Sequence, residues 1–95
     1  MVLMIKIVVI TDRAKKDLRF IPVFVLDKFE AWIHFVESIG LEETRKIPGF
    51  HDEPLKGKRT GQRSIRLNRA YRAIYLVERN AIEFVSVEEV TKHKY

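Results

Sequence analysis

The sequence contains no cysteine, so neither disulfide bonds nor thiolate metal ligands can hold its fold together. That composition suits a reducing compartment, and we expect a cytoplasmic protein. No apolar run approaches the roughly 18 residues that a membrane span needs, so we expect no membrane partner. The apolar residues 1–10 are interrupted by Lys6 and lack the basic start and small-residue cleavage site of a signal peptide, which favours a buried strand.

Acidic residues are missing from residues 54–77, and this gap decides how the charge of the chain is distributed. The 24 residues carry seven basic side chains: Lys56, Lys58, Arg59, Arg63, Arg66, Arg69 and Arg72. The other residues carry 11 basic and 13 acidic side chains, so this segment accounts for the whole positive net charge of +5. A concentrated basic strip is typical of proteins that bind a phosphate backbone, although a solvated arginine-rich hairpin or a dock for an acidic protein has the same pattern.

Glycine and proline are also scarce, with four and three residues, and they separate the regular elements. A β-branched apolar segment predicts a strand over 4–10, and Thr11 and Asp12 are placed to cap the following helix. The remaining predicted elements are helices over 13–20 and 22–39, a helical turn over 41–46, and strands over 62–68, 70–77 and 81–90. The 95 residues, 46% of them hydrophobic, suit one domain spanning 1–95.

The segment 22–39 has a clear helical period. Seven apolar residues share one stripe: Val25, Leu26, Phe29, Trp32, Ile33, Val36 and Ile39. Such a helix needs a sheet to cover, and the short connections between the last three strands favour an antiparallel meander. We therefore expect an α+β domain of order β-α-α-β-β-β, with the two N-terminal helices packed on one face of the sheet.

No constellation of metal ligands, phosphate-binding loop, dinucleotide fingerprint or nucleophile elbow is visible, so we expect an enzyme of this sequence to use neither metal nor cofactor. RNA offers one reaction of that kind, in which a 2′-hydroxyl attacks the adjacent phosphorus and expels the 5′-oxygen of the next nucleotide. The reaction requires a base, an acid, and cations that stabilise the phosphorane. The candidate side chains are Glu53, Arg63, Arg66, Arg72, His93 and Tyr95.

Each candidate also has a plainer interpretation. Glu53 suits a loop carboxylate, Arg66 suits a solvent-facing strand position, and residues at a chain terminus are often frayed. Arg72 differs, because it shares strand parity with Ile74 and Leu76. An arginine among apolar neighbours needs a partner or an anionic ligand, unless a bulge changes the parity.

Three stretches, GFHDEPLKG at 49–57, GQRSIRLN at 61–68 and YRAIY at 71–75, resemble the central block of RelE-type toxins. The ending VEEVTKHKY at 87–95 is similar to the C-terminal signature of the same superfamily. The resemblance implies the RelE/ParE fold, a small α+β domain with a curved antiparallel sheet. It also implies the toxin of a toxin–antitoxin pair, neutralised by a cognate antitoxin.

Ribonuclease members of this superfamily cut mRNA in the ribosomal A site, beside 16S rRNA, without metal, and leave a 2′,3′-cyclic phosphate and a 5′-hydroxyl. The resemblance implies that Arg66 and Arg72 hold the scissile phosphate, and that Glu53 is the base, as proposed for the YoeB branch. It makes His93 the acid and Tyr95 a residue that stacks on or hydrogen-bonds the RNA. The basic residues expected to bind ribosomal or messenger backbone are Lys56, Lys58, Arg59, Arg63 and Arg69.

The chain departs from the family pattern at two positions. RelE has a lysine at the position of Ser64, and Arg63 or Lys56 is left to replace that cation. The YoeB branch ends in adjacent histidine and tyrosine, which Lys94 separates here.

Two alternatives stay open. ParE-like toxins share the fold but poison DNA gyrase and cut no RNA, and a general basic RNA-binding module would also be non-catalytic. The terminal histidine and tyrosine favour the nuclease. Removal of residues 92–95 should therefore inactivate a nuclease and leave either alternative nearly intact. The expected partners are the antitoxin, mRNA and the ribosome, with a homodimer when the toxin is free.

We expect His93→Ala to abolish toxicity, because the 5′-oxygen would then leave without its proton donor. The measurement is growth after induction, with circular dichroism of the purified variant as the control for folding. Full toxicity in a folded variant would assign the acid to another group.

Overall fold

The computed structural model describes residues 4–79 and 82–92. Three α-helices, α1 to α3, span Asp12–Leu18, Val23–Ile39 and Leu41–Thr44. Five strands, β1 to β5, span Val8–Ile10, Glu53–Pro54, Arg63–Arg66, Tyr71–Arg79 and Glu83–Lys92. Short 3-10 helices at Pro48–Phe50 and Gly57–Arg59 flank β2. Within the described ranges, no helix combines the length and the apolar character needed to cross a bilayer.

The strands form one sheet in the order β1-β5-β4-β3-β2. Strands β2 to β5 pair antiparallel, whereas β1 pairs parallel to β5. The α+β class and the predicted order of elements are confirmed, with the two-residue β2 as an addition, but the sheet is mixed rather than wholly antiparallel. Helices α1 to α3 separate β1 from the other strands, so no hairpin turn constrains its direction, and the sequence carried no local signal for it.

Helix α2 covers one face of the sheet with the predicted apolar stripe. Val25, Phe29, Trp32 and Val36 are each at most 1% exposed. Trp32 packs on Tyr75 of β4 with 5.3 Å between ring centroids. Burial of each large apolar side chain of this kind stabilises the fold by roughly 1.5–3 kcal/mol. Because α2 covers this face of the sheet, a ligand is expected on the opposite face.

A β-bulge interrupts the pairing of β4 with β5. Ile74 pairs with Glu89 and Tyr75 pairs with Val87, so Glu88 has no partner on β4. Val87 is buried on the helix face with Tyr75. The extra residue reverses the alternation of β5, and Glu89 therefore lies on the face opposite the helices. Strand β4 has no extra residue, so its side chains alternate between the two faces of the sheet as the sequence predicted.

Helix α1 and its N-cap Thr11 supply hydrogen bonds to β5 beyond the end of β1. The Thr11 hydroxyl donates to the Glu88 carbonyl at 3.1 Å, and the Val90 N–H donates to the Asp17 carboxylate at 3.0 Å. The Thr11 hydroxyl also accepts from the Ala14 N–H at 3.2 Å, which is the predicted helix cap. Beyond the short β1, α1 thus satisfies backbone groups of β5 that no strand reaches.

Candidate functional site

The sheet face opposite the helices carries two arginines directly across from each other. Arg66 on β3 and Arg72 on β4 are register partners, so both side chains leave the same face. Arg66 is exposed, and it makes no hydrogen bond or ion pair to any residue that the structure describes. Like charges at paired positions repel each other, so an anion that binds between these two side chains would be stabilised.

Arg72 is held by two neighbours. Its Nη1 lies 3.2 Å from Glu53 Oε1 and 3.3 Å from Ser64 Oγ. The Arg72 side chain is 22% exposed and that of Glu53 is 58% exposed, so water screens the ion pair and its stabilising energy is small, roughly 0–1 kcal/mol. The strand parity indicated that Arg72 needed a partner or an anionic ligand, and Glu53 is that partner. The Nη1 atom alone makes these contacts, which leaves the rest of the guanidinium for a ligand.

Five side chains line one small pocket at this point: His51, Glu53, Ser64, Arg66 and Arg72. Its volume of about 30 Å³ accommodates one or two groups the size of a water molecule, such as phosphate oxygens. Two guanidinium groups can stabilise negative charge there. A carboxylate, an imidazole and a hydroxyl can accept or donate protons. The pocket therefore combines charge stabilisation with acid–base groups.

His51 is the pocket residue that the sequence analysis missed. It follows the first 3-10 helix with a φ of 44°, a left-handed conformation that is uncommon for residues other than glycine. Its N–H donates to the Pro48 carbonyl at 3.1 Å, and its imidazole makes no side-chain hydrogen bond to a described residue. The available signal was its position two residues before Glu53, the predicted base.

A buried carboxylate places this segment against the sheet. The Asp52 side chain is 1% exposed, and Arg63 Nε donates to its Oδ1 at 2.6 Å. The Tyr75 hydroxyl donates to the other carboxylate oxygen. Burial and the hydrogen bond to Asp52 raise the pKa of Tyr75, which stays neutral. Burial lowers the pKa of Arg63, but the hydrogen bond and charge of Asp52 outweigh it and raise that pKa overall.

No family model matches the sequence, and no curated protein matches it. Solved structures do. A YoeB/ParE toxin from Agrobacterium tumefaciens superposes with a TM-score of 0.68 at 21% identity, over 93% of this chain and 99% of its own. The YoeB dimer from Staphylococcus aureus has a TM-score of 0.68 at 18% identity, over 94% and 97%. The toxin–antitoxin complex RelBE2 from Mycobacterium tuberculosis gives 0.58 at 22% identity, over 92% and 96%.

This chain has the fold of the RelE/ParE toxins. The resemblance inferred from residues 49–95 is thereby confirmed at the level of the fold. On this toxin fold, Glu53, Arg66 and Arg72 come together in one pocket. His93 and Tyr95 lie outside the described residues, so their proposed roles stay predictions.

The five residues predicted to bind RNA backbone lie in different surroundings on the toxin fold. Lys56 and Lys58 are exposed between β2 and β3, and Arg69 is exposed in the β3–β4 turn. Arg63 lies on the helix face, bound to Asp52 and away from the pocket. Arg59 binds the buried carboxylate of Glu89 at 2.7 Å. RNA binding by these residues stays a prediction, and Arg59 and Arg63 already have a carboxylate partner.

The described part of the toxin fold contains no group of three or more His, Asp or Glu side chains arranged to hold a metal ion. The acidic residues nearest the pocket pair with arginine instead, since Asp52, Glu53 and Glu89 each bind at least one guanidinium.

We expect Tyr75→Phe to destabilise the protein at pH 7 by about 1–3 kcal/mol, because one oxygen of the buried Asp52 loses its hydrogen bond. The folded-state pKa of Tyr75 is raised above the ordinary value of 10.0. Its stabilising contribution is therefore complete below pH 10 and is lost as the pH rises toward the folded-state pKa. Urea unfolding of both proteins at pH 7 and near pH 11 measures the difference.

The matched control is Tyr71→Phe on the same strand, because that hydroxyl makes no hydrogen bond to a described residue. It should change the free energy of unfolding little. A gap between wild type and Tyr75→Phe that stays constant or widens at high pH would contradict the assigned role of the hydroxyl.

Proposed function

We propose that this protein is the toxin of a toxin–antitoxin pair, and that it cleaves messenger RNA without a metal ion. The observation that supports this best is the register pair Arg66 and Arg72 in one pocket with Glu53. Two guanidinium groups match a phosphodiester in charge and geometry. The acid-free segment 54–77 also supports RNA as the ligand, because it supplies both pocket arginines and the exposed Lys56 and Lys58.

The proposed reaction begins when Glu53 accepts the proton of a ribose 2′-hydroxyl. The oxygen attacks the adjacent phosphorus, and Arg66 and Arg72 stabilise the negative charge on the phosphorane oxygens. The bond from phosphorus to the 5′-oxygen breaks, and that oxygen takes a proton from the acid. The products are a 2′,3′-cyclic phosphate and a 5′-hydroxyl. All the groups this route needs are side chains.

We assign the acid to His93 and RNA stacking to Tyr95, both from the resemblance. The described end of β5 lies beside the phosphate pocket, because Thr91 pairs with Arg72, and Lys92 lines a groove with Arg72. His93 follows Lys92 directly in the chain. Histidine suits the task because its ordinary pKa lies near working pH.

The proposed partners follow from the same function. The RelBE2 structure is a toxin–antitoxin complex, which supports a cognate antitoxin for this chain. The Staphylococcus aureus YoeB structure is a dimer, which supports a homodimer of the free toxin. We place the protein in the cytoplasm, acting on mRNA in the ribosomal A site beside 16S rRNA.

The decisive variant is Arg66→Gln, which removes the one pocket cation that pairs with no described carboxylate. We expect it to reduce mRNA cleavage by about 100-fold or more, as for loss of one donor to a transition-state oxyanion. The assay is primer extension on a reporter mRNA in a translating extract, with and without ribosomes. Arg79→Gln is the matched control, because Arg79 lies at the far end of β4 in an ion pair with Glu83.

Ribosome-dependent cuts at codon spacing that Arg66→Gln abolishes and Arg79→Gln retains would support the nuclease. Intact message with arrested growth would favour the gyrase-poisoning alternative. Intact message with normal growth would favour a binding module without catalysis.

A second pair of variants tests whether Glu53 is the base. Glu53→Gln should slow single-turnover cleavage by about 100-fold or more, because the amide cannot accept the 2′-hydroxyl proton. His51→Gln in the same pocket should slow cleavage less, since in this assignment His51 does not take part in proton transfer. A larger loss for His51→Gln, together with a changed pH profile, would move the base to His51.

A further inference from the structure

A second, wider groove adjoins the phosphate pocket. It has a volume of about 410 Å³ and shares Ser64 and Arg72 with the pocket. Leu55 and Ile74 provide apolar surface, and Arg59 stands beside them. An apolar groove that opens beside two phosphate-binding arginines is a place where a nucleic acid can insert a base while its backbone stays on the cations.

Both terminal nitrogens of the Arg59 guanidinium are hydrogen-bonded. Its Nη2 lies 2.7 Å from Glu89 Oε1, and its Nη1 lies 3.1 Å from Gln62 Oε1. The side chain nevertheless keeps 45% of its exposure. A guanidinium bound along its edge has its orientation fixed before a ligand arrives, and guanidinium planes stack on aromatic rings.

The carboxylate of Glu89 does not give the groove a net negative charge that would repel RNA. Its side chain is 7% exposed, and its second oxygen binds Arg13 Nη2 at 2.9 Å. One negative charge is therefore shared by two arginines, and the cluster stays positive. Glu89 reaches this face only because the bulge in β5 turns it away from the helices. The arrangement uses a buried acid to orient Arg59 rather than to bind a ligand.

We propose that this groove binds the nucleobase next to the scissile phosphate, stacked on the guanidinium of Arg59 and resting on Leu55 and Ile74. The proposal rests on the proposed function, since it takes RNA as the ligand of the adjoining pocket. The argument for a base is the continuity of the groove with Arg72, its apolar floor and its volume, which lies in the range of small-ligand sites. Stacking of this kind accepts any base, because every base has a π-face.

A chemical double-mutant cycle tests the proposal with the full chain. The probe is a short RNA with a 2′-deoxynucleotide at the attacking position, which prevents cleavage. Two further oligonucleotides lack one base, either 5′ or 3′ of the scissile phosphate. Fluorescence anisotropy at low ionic strength measures their affinity for wild type and for Arg59→Lys. Lysine keeps the charge beside Glu89 but has no plane on which a base can stack.

We expect wild type to bind one of the two abasic oligonucleotides about tenfold more weakly than the intact RNA, from the loss of one stacked base. Arg59→Lys should bind the intact and abasic forms equally. Gln62→Ala, which frees one end of the guanidinium at an exposed hydrogen bond, should lose part of the discrimination. Lys58→Ala is the control, because this exposed charge lies on the same 3-10 helix outside the groove and should weaken all oligonucleotides alike.

Equal binding of intact and abasic RNA by wild type would overturn the base site, as would undiminished discrimination by Arg59→Lys. Arg66→Gln separates this result from the proposed function, because Arg66 lines the phosphate pocket and not the groove. If Arg66→Gln weakens binding while Arg59→Lys does not alter discrimination, the phosphate site stands and the base site fails. If Arg59→Lys abolishes discrimination while Arg66→Gln has no effect, the base site stands and the phosphate assignment fails.

Discussion

The site depends on the buried carboxylate of Asp52. Strand β2 has only two residues, so its ladder to β3 is too short to position the segment before it. Asp52 adds a charged hydrogen bond from Arg63 and a hydrogen bond from Tyr75, and a buried carboxylate is stable only when both oxygens are bound in this way. With Asp52 directed into the protein, the neighbours His51 and Glu53 remain on the exposed side, over Arg72.

The basic segment 54–77 has less free charge than its composition suggests. Three of its arginines bind carboxylates that lie outside the segment: Arg63 with Asp52, Arg72 with Glu53, and Arg59 with Glu89. Lys56, Lys58 and Arg66 are exposed cations of the same segment. The arginines with partners are oriented by their carboxylates, whereas Lys56 and Lys58 attract a polyanion without fixed geometry, and Arg66 faces the pocket beside Arg72. The division suits a surface that must both attract RNA and hold one phosphate in place.

The sequence predicted those parts of the fold that depend on local periodicity. Val25, Phe29, Trp32 and Val36 of the stripe on α2 are buried as its spacing indicated, whereas Ile39 at its end is exposed. On β3, Ser64 and Arg66 lie opposite Ile65. The shared face of Arg72 and Ile74 also followed from alternation. The pairing direction of β1 and the bulge in β5 did not, because each depends on contacts with α1 or with a strand far away in the chain.

The sequence by itself determined the helices, the meander and the basic segment, since each is encoded by residues a few positions apart. Only the tertiary structure decided which charges pair. The ion pair of Arg59 with Glu89 spans 30 residues, and that of Arg72 with Glu53 spans 19. Composition assigns the same charge to Arg63 and Arg66, yet one is held by a buried acid and the other faces the pocket. The physical reason is that an ion pair forms between groups that the fold brings within hydrogen-bonding distance, and no local pattern specifies that distance.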